Sequence, residues 1–285
     1  MPLKRRTLVR RPEWGNYVIL DAHQMEEAVR PMIAIDLTNR TALVTGATGE
    51  LGRVMARTLA RSGADIIIHY YSSESKAKAL KEEIEQLGRQ AYIVQADMSS
   101  QESVQQMKRK LETEFRLPTI VVANAVSQYK WTSVLEQDAG DYVDQFNTTV
   151  MQLVHTAKAF VPHMIERRGG RLIAINTECA MQNFPTQSAY VAGKRGMDGV
   201  CRVLAKEIGE HQITVNQVAP GWTISERDRQ NGTEVSEGYD SGVPLRRRGT
   251  DQEIANVVSF LASDLASYIT GAYVPVSGGN VMPTI

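Results

Sequence analysis

The sequence predicts an α/β protein, a doubly wound parallel sheet with helices on both faces. Three observations predict it. From Arg40 onward, short runs rich in Val and Ile alternate with longer stretches of helical periodicity, the pattern of right-handed βαβ units. Several of those short runs are apolar almost without a break, as strands buried on both faces are. The first strand–helix junction is the glycine-rich stretch TGATGELG at 45–52, which has the place and composition of a turn that meets a phosphate.

The elements follow in order. Strands are expected at Thr41–Thr45, Asp65–Tyr70, Gln90–Gln95, Ile120–Ala123, Arg171–Asn176, Ile213–Val218 and Ala272–Val276. After the first strand, Leu51, Val54, Met55 and Leu59 repeat at i, i+3, i+4 and i+8, one face of a helix. Ser75–Leu87 sets Leu80 and Ile84 on one side of dense Lys and Glu, with Ser73 as its N-cap. Further helices are expected at Val104–Phe115, Tyr142–Arg167, Ser188–Ile208 and Asp251–Leu261. Gly221–Val243 is polar, contains glycine and is long for a connection, a composition that suits a lid. Residues 40–285 are therefore expected to form a single domain, with a lid at about 222–246.

Residues 1–39 stand apart as an extension. The start MPLKRRTLVRR is basic, but Glu13, Asp21, Glu26 and Glu27 speak against an organelle transit peptide. An ordered or partly frayed segment packed on the domain is expected. The chain balances 32 basic against 32 acidic residues, so no global field draws it to nucleic acid or to an anionic membrane. No run is long and apolar enough to span a bilayer. The two cysteines, Cys179 and Cys201, fit no metal-ligand spacing. These features point to a cytoplasmic protein with a small-molecule partner and no metal.

The glycine loop opens a dinucleotide site in this reading. Gly46, Gly49 and Gly52 permit a tight turn and close backbone approach, and the helix N-terminus at Thr48–Gly52 meets the charge of a pyrophosphate. Glu50 is the oddity in that loop. The spacing TGxxGxxG keeps all three glycines, and Glu50 is then expected to face solvent or a neighbouring basic group. At the tip of the second strand an NAD site usually carries an acid against the ribose 2′-hydroxyl. Here the tip reads Tyr70-Tyr71-Ser72, which tilts the expectation toward NADP(H), with NAD(H) possible. Asp97 and Met98, after the third strand, could meet the adenine or simply close a turn. Asn124 and Ala125 end the fourth strand at the switch point, where open α/β sheets bind ligands.

Tyr190 and Lys194 stand four apart on an expected helix, on one face of it. A tyrosine hydroxyl titrates near 10, and a neighbouring ammonium favours the phenolate. Thr177 brings a hydroxyl from the preceding strand end, and Asn147 an amide from the long helix before it. With these residues in place, the chain from about Arg40 to its C-terminus resembles a single-domain short-chain dehydrogenase/reductase. The match is carried by TGATGELG, Ala96-Asp97-Met98, Ala123-Asn124-Ala125, Asn147, Thr177, YVAGK at 190–194, VNQVAPGW at 215–222 and the tail ending in VSGG.

The resemblance implies a Rossmann-type fold and roles for the matched positions. Tyr190 would exchange a proton with the substrate oxygen, and Lys194 would hold the nicotinamide ribose and lower the tyrosine pKa. Thr177 would take the place usually held by serine. Asn147 would position a water, and Pro220-Gly221 would flank the nicotinamide. Similarity is greatest to 3-oxoacyl-carrier-protein reductases and generic ketone reductases. A sugar or polyol dehydrogenase is the alternative enzyme, and a cofactor-binding regulator without turnover the alternative of another class. A homotetramer or homodimer is implied through two long helices and the last strand. Val126, Glu178, Phe184 and Trp222 are expected to line the substrate side, together with Gln128, Tyr129, Trp131 and Met181. Val126 replaces the usual glycine, and Glu178 follows the catalytic hydroxyl.

Overall fold

The computed structural model describes residues 7–10, 17–20 and 34–283. The chain divides into two units, 1–35 and 36–285. In the first, β1 (Thr7–Arg10) and β2 (Tyr17–Leu20) pair antiparallel, with Thr7 opposite Leu20. The rest of the expected extension up to residue 33, its basic first six residues included, lies outside the described residues.

The second unit is built on β3 (Thr41–Val44), β4 (Asp65–Tyr70), β5 (Ala91–Gln95), β6 (Ile120–Ala123), β7 (Gly170–Ile175) and β8 (Ile213–Pro220). The short β9 (Thr223–Ile224) and β10 (Gly249–Thr250) pair with each other, and β11 (Tyr273–Val276) completes the main sheet. That sheet has seven strands in the order β11-β8-β7-β6-β3-β4-β5, and every neighbouring pair is parallel. The chain winds outward through β4 and β5, then returns to the other side of β3 with β6. The crevice between the ends of β3 and β6 is therefore the switch point.

The connecting helices are α1 (Glu50–Arg61), α2 (Glu74–Gln86), α3 (Gln101–Glu114), α4 (Ala139–Phe146) and α5 (Gln152–Glu166). They continue with α6 (Cys179–Gln182), α7 (Ser188–Ile208), α8 (Glu226–Asn231), α9 (Glu237–Asp240) and α10 (Asp251–Ala262). Every residue of β3, β4, β6, β7 and β8 is buried, which is why their sequences lack alternation. On one face Val104 and Met107 of α3, Phe160 and Met164 of α5, and Met197 and Cys201 of α7 pack against Leu43, Val121 and Leu172 of the sheet. The helices α1, α2 and α10 cover the other.

Two segments differ from the sequence expectation. The long helix expected at Tyr142–Arg167 begins at Ala139, where Asp138 caps it, and holds a π-helical turn at Asn147–Met151. The threonine hydroxyls there bond back along the chain: Thr148 donates to the Asp144 carbonyl and Thr149 to that of Gln145. Such back-bonding loosens the regular ladder. The polar stretch after Gly221 is not irregular, since it folds into β9, α8 and α9. Its organiser is a reciprocal cap in which Ser225 and Asp228 satisfy each other's backbone N–H groups.

Candidate active site

The turn after β3 is shaped by steric demands. Gly46 adopts a left-handed backbone (φ 61°), and a Cβ there would lie 3.1 Å from the Ala125 Cα. A Cβ on Gly52 would fall 2.2 Å from the Gly46 carbonyl oxygen, so α1 can pack on the turn only with glycine at that position. Gly49 stands at the N-cap of α1 and supplies no side-chain cap, leaving the first N–H groups of the helix pointing out of the turn. Glu50 and Leu51 line the adjoining cleft. Glu50 accepts from Arg53 (2.7 Å), and Arg53 also pairs with Glu226 of α8 (3.0 Å). An open helix N-terminus beside a cleft fits a pyrophosphate.

Polar residues inside the apolar strands tie this turn to the switch point. Thr45 Oγ1 accepts from the N–H groups of Asn124 (2.8 Å) and Ala125 (3.0 Å) and donates to Gln152 Oε1 (2.9 Å). Gln152 Nε2 returns to the Ala125 carbonyl (2.6 Å), and Asn124 Nδ2 donates to that of Thr45 (2.9 Å). The Gly46 N–H donates to His69 Nδ1 (2.9 Å) and His69 Nε2 lies 3.0 Å from the Ala96 carbonyl. A backbone N–H can only donate, so Nε2 carries the ring proton. Burial holds His69 neutral, with its pKa pushed down to about 4. None of Thr45, Gln152 and His69 was singled out by the sequence; the signal available was a polar residue within a buried run.

At the tip of β4, Tyr70 is buried, Tyr71 and Ser72 are exposed, and no carboxylate stands among them. The nearby Glu74 pairs with Lys78 (2.7 Å). Asp97 Oδ1 closes a turn on the N–H (2.9 Å) and hydroxyl (2.6 Å) of Ser99, the turn-closing alternative of the sequence reading. Met98 is buried, and its carbonyl lies 3.2 Å from His155 Nδ1.

Thr177, Tyr190 and Lys194 converge on a cleft of about 640 Å³, which Asn124, Pro220, Gly221, Val126, Glu178, Phe184 and Trp222 also line. Lys194 is buried and its Nζ donates to the Ile175 carbonyl (2.7 Å), 5.6 Å from the centre of the Tyr190 ring. Burial lowers its pKa to about 8. The expected depression of the tyrosine is not what the geometry gives. Burial raises the Tyr190 pKa above its ordinary value, and a hydrogen bond from Thr177 offsets only part of this. The Tyr190 N–H donates to the Tyr129 hydroxyl (2.8 Å), fixing the start of α7 against the cleft wall.

Behind these residues Asn176 donates to the Lys194 carbonyl (3.1 Å) and to Gln217 Oε1 (2.7 Å), and its Oδ1 accepts from the Thr177 N–H (2.9 Å). Gln217 in turn donates to Asp198 of α7 (2.6 Å). This buried chain sets the register of α7 against β7 and β8, and it too escaped sequence reading.

Of the residues expected in catalytic or substrate-side places, two are not brought to the cleft. Asn147 does not line it. A Cβ on Gly193, next to Lys194, would meet Thr149 Oγ1 at 2.6 Å and the Gln145 carbonyl at 3.0 Å. Positions 145 and 149 thus face α7, and Asn147, two residues from each, is turned away. Met181 is likewise absent from the lining. Glu178 lines the cleft but is already engaged. Its Oε1 accepts from the Tyr239 hydroxyl (2.7 Å) and the Trp222 N–H (3.2 Å), and its Oε2 from Asn280 Nδ2 (3.0 Å).

A seven-stranded parallel sheet with a glycine turn at the switch point and a Tyr/Lys pair in the cleft is a specific combination, and comparison with known proteins agrees. Residues 46–280 match the family model described as enoyl-(acyl carrier protein) reductase. The 3-oxoacyl-[acyl-carrier-protein] reductase FabG of Pseudomonas aeruginosa is 36% identical over 249 residues, which span 87% of this chain and all of that protein. The chain is a short-chain dehydrogenase/reductase. As a member of that family it is an NAD(P)-dependent oxidoreductase of the C=O/CH–OH type. Among solved structures, a blue fluorescent protein from a metagenomic library in complex with NADPH is similar at 31% identity and TM-score 0.80, over 87% of this chain and all of that one. A 7α-hydroxysteroid dehydrogenase complexed with NADH and 7-oxo glycochenodeoxycholic acid is similar at 26% identity and TM-score 0.78, over 87% of this chain and 97% of that one.

Proposed function

We propose that this short-chain dehydrogenase/reductase is an NADP(H)-dependent ketone reductase in which Tyr190 is the proton donor. The observation that carries the reading is the convergence of Thr177, Tyr190 and Lys194 on a cleft continuous with the open N-terminus of α1. Gly46, Thr48, Gly49, Leu51 and Gly52 would hold the pyrophosphate, with Asn124, Ala125, Pro220 and Gly221 beside the nicotinamide. When bound, the nicotinamide supplies or accepts a hydride at the carbonyl carbon.

The protein's own part is orientation and a proton. Tyr190 and Thr177 would hydrogen-bond the substrate oxygen, placing its carbon toward the cofactor side. The raised pKa keeps Tyr190 protonated at neutral pH, the form that gives a proton to a developing alkoxide. Lys194 would hold the ribose with the N–H groups left after its bond to Ile175 and stabilise the tyrosinate as it forms. The intact Tyr190/Lys194 pair favours turnover over a purely regulatory role. The 222–246 segment would act as a lid.

The preference for NADP(H) is supported by the hydroxyl-only tip Tyr70-Tyr71-Ser72, which offers nothing to repel a 2′-phosphate. A cytoplasmic location is supported by the two free cysteines. A homotetramer is supported by exposed Val143 and Phe146 on α4 and Val203 on α7, and by the open edge of β11.

The test is NADPH oxidation with a ketone panel. Tyr190→Phe is expected to lower kcat by about 10²- to 10⁴-fold while NADPH still quenches protein fluorescence with little change in affinity. An unchanged rate would remove Tyr190 from the reaction. Tighter binding of NADH than of NADPH would overturn the cofactor preference alone.

A further inference from the structure

We infer that the cleft selects an uncharged, planar ring ketone over an acyl thioester carried on a phosphorylated arm. This rests on the reductase reading above and deepens it. The wall of the cleft is aromatic from the catalytic residue outward. The Trp131 ring stacks on that of Tyr190 (centroids 6.3 Å apart, planes at 25°), so a ring laid along Trp131 lies next to the tyrosine. Trp222 faces Tyr239 edge-on at 5.5 Å and is held from one side by the Arg248 guanidinium at 4.5 Å. Trp131, Phe184 and Trp222 all line the cleft and yet remain 49%, 47% and 53% exposed. Large aromatic surface left open beside a catalytic group is the signature of a ligand wall, and flat rings gain most from stacking on it.

The charges of the cleft argue the same way. Among the residues that line it, the acidic and basic side chains are Glu50, Glu178 and Lys194. All are engaged, Glu50 by Arg53, Glu178 by Tyr239 and Asn280, and Lys194 by Ile175. Lys194, which serves the catalytic pair, is the one cation among the described residues that lines the cleft. Of the two segments that bring Tyr129, Trp131, Trp222 and Tyr239 to the cleft, the first is acidic. Residues 127–144 hold Glu136, Asp138, Asp141 and Asp144 against Lys130. Residues 222–248, which carry Trp222, Tyr239 and Arg248, are balanced: Glu226, Asp228, Glu234, Glu237 and Asp240 stand against Arg227, Arg229, Arg246, Arg247 and Arg248. The acidic excess around Trp131 disfavours a multiply anionic arm there and leaves a neutral ring untouched.

The experiment compares kcat/KM for 2-tetralone and for acetoacetyl-CoA with NADPH, in the intact protein and in Trp131→Ala and Trp131→Phe. The ring ketone is expected to lead by about tenfold or more, and Trp131→Ala to shrink that lead by about tenfold, the scale of one lost aromatic contact. Trp131→Phe should restore most of it, which a merely misfolded loop would not allow. Equal or better turnover of the thioester, or a lead that Trp131→Ala leaves intact, would overturn the inference while the reductase reading stood. If no substrate oxidised NADPH that demonstrably binds, both would fall.

Discussion

Gly52 and His69 show how little freedom the cofactor turn has at the scale of single residues. The contact of 2.2 Å that a Cβ on Gly52 would make is with backbone, which cannot rotate aside. Gly52→Ala is expected to cost about 1–3 kcal/mol and to weaken NADPH binding, read by urea midpoint and fluorescence titration. If neither moved, the turn would have to be more yielding than its packing shows. His69 makes the same region sensitive to acid. Its folded pKa of about 4 lies below its ordinary 6.5, so the unfolded chain takes up the proton first. The stability it contributes is complete above about pH 6.5 and is lost as pH falls toward 4, on the order of 3 kcal/mol. His69→Asn should flatten the stability profile across that window. Glu253, held down to about 2 from 4.5 chiefly by Arg247, loses its contribution only at lower pH, between those two values, so the two effects separate. On the reaction side, Lys194 titrates near 8, and reduction is expected to fall as pH rises through that value. A rate flat to pH 10 would dissociate the ammonium from the mechanism. Tyr190, Lys194 and Thr177 were legible in the sequence because four-residue spacing on a helix after a strand end fixes their side. Asn147 was misplaced because the π-helical turn and the packing of Gly193 against Thr149 decide which face of that helix meets α7, and neither is written in local spacing.

The 222–246 segment gives the clearest case at the scale of an element. Arg248 is buried at its base and donates to the carbonyls of Thr223 (2.9 Å) and Thr233 (2.9 Å) and to Asp228 Oδ2 (3.0 Å), besides stacking on Trp222. One planar guanidinium thus satisfies β9, α8 and the loop after it at once. Glu178 closes the other end through Tyr239 of α9. Arg248→Met should loosen this segment without unfolding the sheet. The expected signs are faster proteolysis within 222–246 and a KM raised about tenfold, with the thermal midpoint changed by only a few degrees. A large fall in the midpoint with unchanged KM would make Arg248 a core residue instead. From sequence this stretch read as a polar loop. Its order comes from one buried arginine and one buried glutamate reaching across tens of residues, which no window of local pattern contains.

The whole molecule is governed by the strand order. Because β6 returns to the far side of β3, the glycine turn and Asn124-Ala125 meet, and the cleft opens where they do. The proposed homotetramer belongs to this scale. Light scattering should give four times the chain mass of 31.6 kDa. Phe146→Asp, on the exposed face of α4, should lower the assembly state; a monomer in the unaltered protein would overturn the proposal. The sequence by itself determined the α/β class, the seven strands of the main sheet within about two residues but not β1, β2, β9 or β10, the glycine turn and the Tyr190/Lys194 pair, because burial on both faces and helical spacing are local properties of a chain. Only the tertiary structure decided that Arg53, the helical neighbour Glu50 pairs with, is shared with Glu226 of α8, that Glu178 is a buried acceptor rather than a group left open to substrate, and that Asn147 is turned from the cleft. Each of those depends on which distant residue arrives beside it, and on the cost of leaving a buried charge or amide without a partner.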